Sequence, residues 1–170
     1  MAGLACKGNP TALHFLFTKS AVRNGTWSGI LDRRDVFLSR SCVPQFLGFA
    51  DAQLKRMTGQ SGRGKKGQRP ELEEKYGYDV KAGMHVLRLL YECQELVSTG
   101  KITLPRPERD LLIRARTGQF SMDKILAMAQ RLFAECEEAA NQSSLPEKVD
   151  RAAMSKLLAD SYREAWSAAN

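Results

Sequence analysis

The stretch Lys75-Tyr-Gly-Tyr-Asp-Val-Lys-Ala-Gly-Met-His-Val-Leu-Arg-Leu-Leu90 decides the fold. Asp79 stands directly before an apolar run, where a carboxylate can accept from the unpaired N–H groups of a first helical turn. The run predicts a long helix beginning after Asp79. At about 100° per residue, Lys81, His85, Arg88 and Glu92 fall within about 60° of one another. Val80, Met84, Val86, Leu87, Leu89, Leu90 and Cys93 cover most of the remaining circumference. A helix that is apolar nearly all round belongs in a core. A cationic stripe on it must be paired or must meet an anion, because an unpartnered buried charge is costly. Both readings are open. Arg88 can bridge to Glu92 four residues on, with His85 a satisfied core histidine. Alternatively, Lys81, His85 and Arg88 hold the phosphates of a nucleotide or a nucleic-acid end. Tyr78 either packs in the core or stacks on a base.

Working outward, other segments also read as helices. Asn9-Pro10 is a helix start, with Asn9 as cap and Pro10 in the first turn. The same turn, with Lys7, offers backbone N–H groups to an anion, or it is an ordinary cap. Trp27 to Leu38 reads as one or two short helices. Val43 to Met57 is amphipathic, with Val43, Phe46, Leu47, Ala50, Leu54 and Met57 on one side. Pro107 to Thr117 is predicted helical. Ser121 caps a helix to about Ala140 whose core face is Ile125, Ala129, Leu132, Phe133 and Cys136. Asp150 caps a last helix that turns Met154, Leu157, Leu158, Ser161, Tyr162 and Trp166 inward. Trp27 and Trp166 are expected as core anchors. Lys101 to Leu104 and Gln119-Phe120 are expected to pair as a minimal β-hairpin. Arg114 and Arg116 suit the end of a helix dipole, or they extend a basic surface.

Between these segments, residues 59–70 carry four glycines, four basic residues and no apolar residue. This predicts a flexible surface loop, read either as a solvated insertion or as a basic flap in which Arg63, Lys65, Lys66 and Arg69 meet nucleic-acid phosphates. The expected fold is therefore all-α: six or seven helices, a flexible basic loop and at most one minimal hairpin. It forms a single helical domain, with N-terminal helices in 1–58, the loop in 59–72 and a helical bundle in 73–170.

Composition narrows the function. A net charge of +7 favours acidic partners, nucleic acid or phosphorylated ligands first. Four cysteines at wide spacing give no metal-ligand pattern and suggest reduced, mostly buried thiols, hence a cytoplasmic protein. No apolar run reaches transmembrane length, so no membrane partner is expected. Gly3-Leu-Ala-Cys6 lacks the basic and apolar regions of a lipoprotein signal. No nucleophile–base pair is recognisable.

Taken together, several segments resemble the predicted nucleotidyltransferases of the DNA polymerase beta superfamily, in the RNA-repair group that also occurs in phages. They are Leu4-Ala-Cys-Lys-Gly-Asn-Pro10, Arg34-Asp-Val-Phe-Leu-Ser39, Phe46 to Leu54, Lys75 to Lys81 with His85 and Arg88, Leu104-Pro-Arg-Pro107, Arg114 to Ser121, Ser144-Leu-Pro146 and Asp150-Arg151. The resemblance implies that the segment around Lys81 faces a nucleotide cleft, and that an intact member uses Mg2+ and a nucleoside triphosphate. Such enzymes carry Gly-Ser and Asp-x-Asp motifs before the Lys-Gly-Asn-Pro segment, and no Asp-x-Asp occurs in these residues. Asp32 and Asp35, beside Arg33 and Arg34, read as a surface ion-pair pattern. The expectation is a helical nucleotide- and substrate-binding portion without the catalytic α/β core and with no cofactor of its own. Either a separately encoded catalytic half completes it, or the chain is a truncated product. The alternative is a stand-alone module binding nucleic acid or a host protein. A third reading is an inactive remnant that self-associates through an exposed apolar face.

Overall fold

The computed structural model describes residues 2–19, 25–60 and 69–169. Its α-helices, in chain order, are α1 (Ala2–Cys6), α2 (Pro10–Phe17), α3 (Gly25–Asp32), α4 (Val43–Met57), α5 (Pro70–Tyr76), α6 (Val80–Thr99), α7 (Arg109–Arg116), α8 (Met122–Gln142) and α9 (Arg151–Ala169). Two 3-10 turns, Arg34–Phe37 and Arg40–Cys42, lead into α4. The all-α class holds, but the described residues form nine α-helices rather than six or seven. The two additions are α1 and α5. Helix α5 begins within the segment expected to be loop. Pro70 stands in its first turn, Glu71 and Glu73 suit its N-terminal dipole, and Gly77 closes it in a left-handed conformation.

Helix α6 is the centre. It packs against α4 on one side and α8 on another, with α7 and α5 completing the enclosure. Val80, Val86, Leu87, Leu90, Cys93, Leu96 and Val97 are essentially inaccessible to solvent. Gly83 faces both α4 and α8. A side chain there would press on Met57, Tyr78 and Ile125. The expected faces of α4 and α8 are turned inward, with Phe46, Ala50, Ile125, Leu132 and Cys136 buried. All four cysteines are free thiols. Burial pushes the Cys42 thiol up to about 12, and Cys136 Sγ donates to Leu90 O at 3.3 Å.

The expected hairpin does not form, and no strand occurs among the described residues. Competing polar partners explain it. Thr103 N donates to the Glu95 carboxylate on α6 at 3.0 Å. Arg106, itself buried, binds Glu95 and Glu108. On the other side, Phe120 O accepts from the Tyr78 hydroxyl at 2.8 Å. The 101–108 segment is thus tied down to α6 and not across to residue 119. Helix α7 is correspondingly shorter than expected, beginning at Arg109 rather than Pro107.

The last helix also departs from expectation. Leu157 and Ser161 are buried, but Tyr162 and Trp166 are 78% and 76% exposed. Helix α9 packs mainly on α3. At 1.5 Å per residue, the 8 residues of α3 cover less than half the length of the 19-residue α9. No helix among the described residues is long and apolar enough to cross a membrane.

Gly8 shows why Lys7-Gly-Asn-Pro reads as a motif. Its φ is +70°, and a Cβ there would overlap the Cα of Cys42. The turn between α1 and α2 is thereby seated on the backbone that leads into α4. Gly77 has φ +79° but open space around it. Gly77→Ala should cost roughly 1–2 kcal/mol, the strain of a left-handed backbone alone. Gly8→Ala should cost at least about twice as much, because backbone must also move. Urea unfolding of both variants checks this, and equal losses would contradict the packing role of Gly8.

Candidate functional site

The site is built at the N-terminal half of α6. Asp79 is fully buried, and its Oδ1 accepts from Lys81 N and Ala82 N, each at 3.0 Å. It is the expected N-cap. Its other oxygen, Oδ2, accepts from Arg69 Nη1 at 2.7 Å. Arg69, assigned from sequence to a basic loop, thus stands beside the start of α6. Arg63, Lys65 and Lys66 lie outside the described residues.

Between three and four turns further along α6, Glu92 is also fully buried. Arg88 Nη1 donates to both of its oxygens, at 2.8 and 3.1 Å. This is the internal pairing that the spacing allowed. His14 of α2 adds a contact that sequence reasoning missed, its Nδ1 lying 3.2 Å from Glu92 Oε1. The residues are 78 positions apart, so no local pattern signals it. A carboxylate removed from water needs such partners, and here they join α2 to α6.

His85 lies between these two carboxylates, partly buried. Its basicity is lowered from the ordinary imidazole value, chiefly by burial and then by the charges of Arg88, Lys81 and Arg69. Asp79 acts in the opposite sense. The same interactions place three cations from two segments about one imidazole. Against them stand the two buried carboxylates, Asp79 and Glu92. The balance is one positive charge in excess, with His85 neutral. Lys81 makes no ion pair among the described residues.

The other sequence candidates fall elsewhere. Tyr78 is 3% exposed, and its hydroxyl is engaged by Phe120 O. Of its two readings, packing is what the structure holds, since neither ring face is open to a base. Asn9 Oδ1 accepts from Ala12 N at 3.1 Å, an ordinary cap on α2. Lys7 is exposed in the preceding turn. Among the described residues, no polar contact ties Lys7 or Asn9 to the α6 cations. No group of three His, Cys, Asp or Glu side chains suited to a metal ion occurs among the described residues. A cavity of about 350 Å³, lined by residues including Trp27, Phe37 and Leu158, shares no residue with this site.

The electrostatics set a pH dependence. A folded-state value below the ordinary 6.5 means that the unfolded chain binds more protons in the interval between them. His85 therefore favours the folded state above pH 6.5, and that contribution is lost as pH falls through the depressed value. Titration of the His85 imidazole by NMR should give a midpoint below 6.5, rising when Arg88 is replaced by Gln. A midpoint at or above the ordinary value would contradict the arrangement of cations.

Comparison with curated proteins and with solved structures gives no match. A family model does match, over residues 1–160, and its description is RlaP, RNA repair pathway DNA polymerase beta family. The match spans every helix through α8 and half of α9, including the whole cationic site. The chain belongs to this family of polymerase-beta-like nucleotidyltransferases associated with RNA repair.

Proposed function

We propose that these residues are the helical nucleotide- and substrate-facing portion of a polymerase-beta-like nucleotidyltransferase, with the catalytic carboxylates supplied from outside them. The observation that carries the reading is the pair of cations held along α6 by buried carboxylates, Arg69 by Asp79 and Arg88 by Glu92, with Lys81 on the same face as Arg88, within a chain of nucleotidyltransferase descent. The excess positive charge of the site suits a polyphosphate.

The division of labour follows from the contacts. Arg88 uses only Nη1 on Glu92, so its guanidinium is oriented while its other N–H donors remain outside that pair. Lys81 supplies a mobile point charge. Arg69 is similarly held through Nη1 by Asp79. His85, neutral before binding, contributes an N–H donor and gains basicity when an anion arrives. The Mg2+ ions of an intact family member find no group of three suitable ligands among the described residues. Transfer would need carboxylates from outside these residues to hold the metal ions, which would align the triphosphate and the attacking hydroxyl.

Isothermal titration of the chain with adenosine triphosphate and Mg2+ tests the reading. Lys81→Ala should weaken binding at least about tenfold, the scale of one lost charge-assisted contact. It removes no buried pair, so its thermal stability should match the parent. Arg88→Ala is the poorer probe, because it leaves Glu92 buried with His14 alone and destabilises the fold. Unchanged affinity in Lys81→Ala would remove the phosphate role from α6.

A further inference from the structure

Beside the cationic site runs a second feature that the nucleotide reading does not use. Arg106 binds Glu95 near the C-terminal end of α6, and Tyr78, just before α6, binds Phe120 just after α7. Helix α7 therefore lies antiparallel along α6. Between them is a shallow groove of about 290 Å³ lined by Met84, Arg106, Arg109, Leu112, Ile113 and Arg116. Met84 sits about 40° round α6 from Arg88 and about 60° from Lys81, so the groove opens directly onto the nucleotide-facing stripe.

The charges are placed for an extended partner. Arg109 and Arg116 are exposed and two turns apart, about 10 Å along α7. Ile113 lies between them on the same side, 42% exposed. Among the described residues, Arg109 pairs only with its neighbour Asp110, in a pair that is mostly exposed and so contributes little. Arg106 is committed to Glu95 and Glu108 and forms the floor. Arg114 stacks on Phe120, 4.7 Å from the ring centroid, and with Arg116 it offsets the negative end of the helix dipole. Residues 106–116 hold four arginines against Glu108 and Asp110. A single-stranded polynucleotide alternates phosphates with apolar base faces, and this groove alternates guanidiniums with Met84 and Ile113.

We propose that the α6–α7 groove is the bed of a single-stranded polynucleotide, with Arg109 and Arg116 on its phosphates and its end directed toward Lys81 and Arg88. This deepens the proposed function by giving the acceptor strand a surface, and it rests on that reading for the strand's direction.

The test is fluorescence anisotropy of a short labelled oligouridylate on the full chain. Arg109→Glu/Arg116→Glu should lower affinity at least about tenfold, and the dependence of log affinity on log salt should become shallower by roughly 1.4, two phosphates' worth. Arg109→Gln/Arg116→Gln should move both in the same direction by less. Lys148→Glu/Lys156→Glu makes the same change of net charge on exposed residues and should leave binding as it was. Circular dichroism of each variant establishes that the helices persist. An oligothymidylate bound in the same way also supports the proposal and shows that sugar is not read. Equal losses in the two charge-reversal pairs, or none in the α7 pair, would overturn it. So would polyglutamate binding as tightly with the same dependence on Arg109 and Arg116, since the groove would then fit an acidic polypeptide. The outcome is separable from the nucleotide reading. Lys81→Ala decides the triphosphate site, while the α7 pair decides the strand bed.

Discussion

The structure depends on how the buried carboxylate of Glu92 is neutralised. A fully buried carboxylate without partners would unfold its surroundings or be protonated. Here it takes Arg88 from its own helix and His14 from α2. The first contact fixes the direction of a guanidinium on the solvent-facing edge of the central helix. The second anchors the N-terminal helices to that helix. One interaction thus serves packing and presentation together.

Asp79 repeats the device at the start of α6. It caps the helix with one oxygen and holds Arg69 with the other. Two buried anions are thereby spaced along a helix that is otherwise apolar, and each keeps a cation at the surface. The imidazole between them is less basic than usual, first because it is partly buried and then because of three positive neighbours. A surface prepared in this way is unfavourable for another cation and favourable for an anion. This links the core of the fold to the proposed reading of its function.

Much of this was legible from local pattern. The cap at Asp79, the enclosed character of α6, the Arg88–Glu92 spacing and the inward faces of α4 and α8 each follow from neighbours within one or two turns. What escaped depended on contacts between distant residues. His14 and Glu92 meet across the whole N-terminal half. Lys101 to Leu104 had the composition of a strand, but Glu95 and Arg106 supply partners that composition does not reveal. Trp166 looked like a core residue because its spacing continues the buried face of α9, yet it is 76% exposed. Helix α5 is the instructive exception. Its signals at Pro70, Glu71, Glu73 and Gly77 were present and were outweighed by the glycine-rich run before them. Family membership, by contrast, came from ordered short motifs, of which Gly8 and Asp79 now have physical reasons in packing and capping.

The central claim is that the face of α6 carrying Lys81, His85 and Arg88 receives a polyphosphate. The most direct measurement is the NMR titration of His85 with and without saturating inorganic triphosphate. The account predicts that the anion raises the imidazole pKa, so that binding takes up a proton and tightens as pH falls. An unchanged His85 titration while triphosphate binds would place the anion elsewhere and contradict the account.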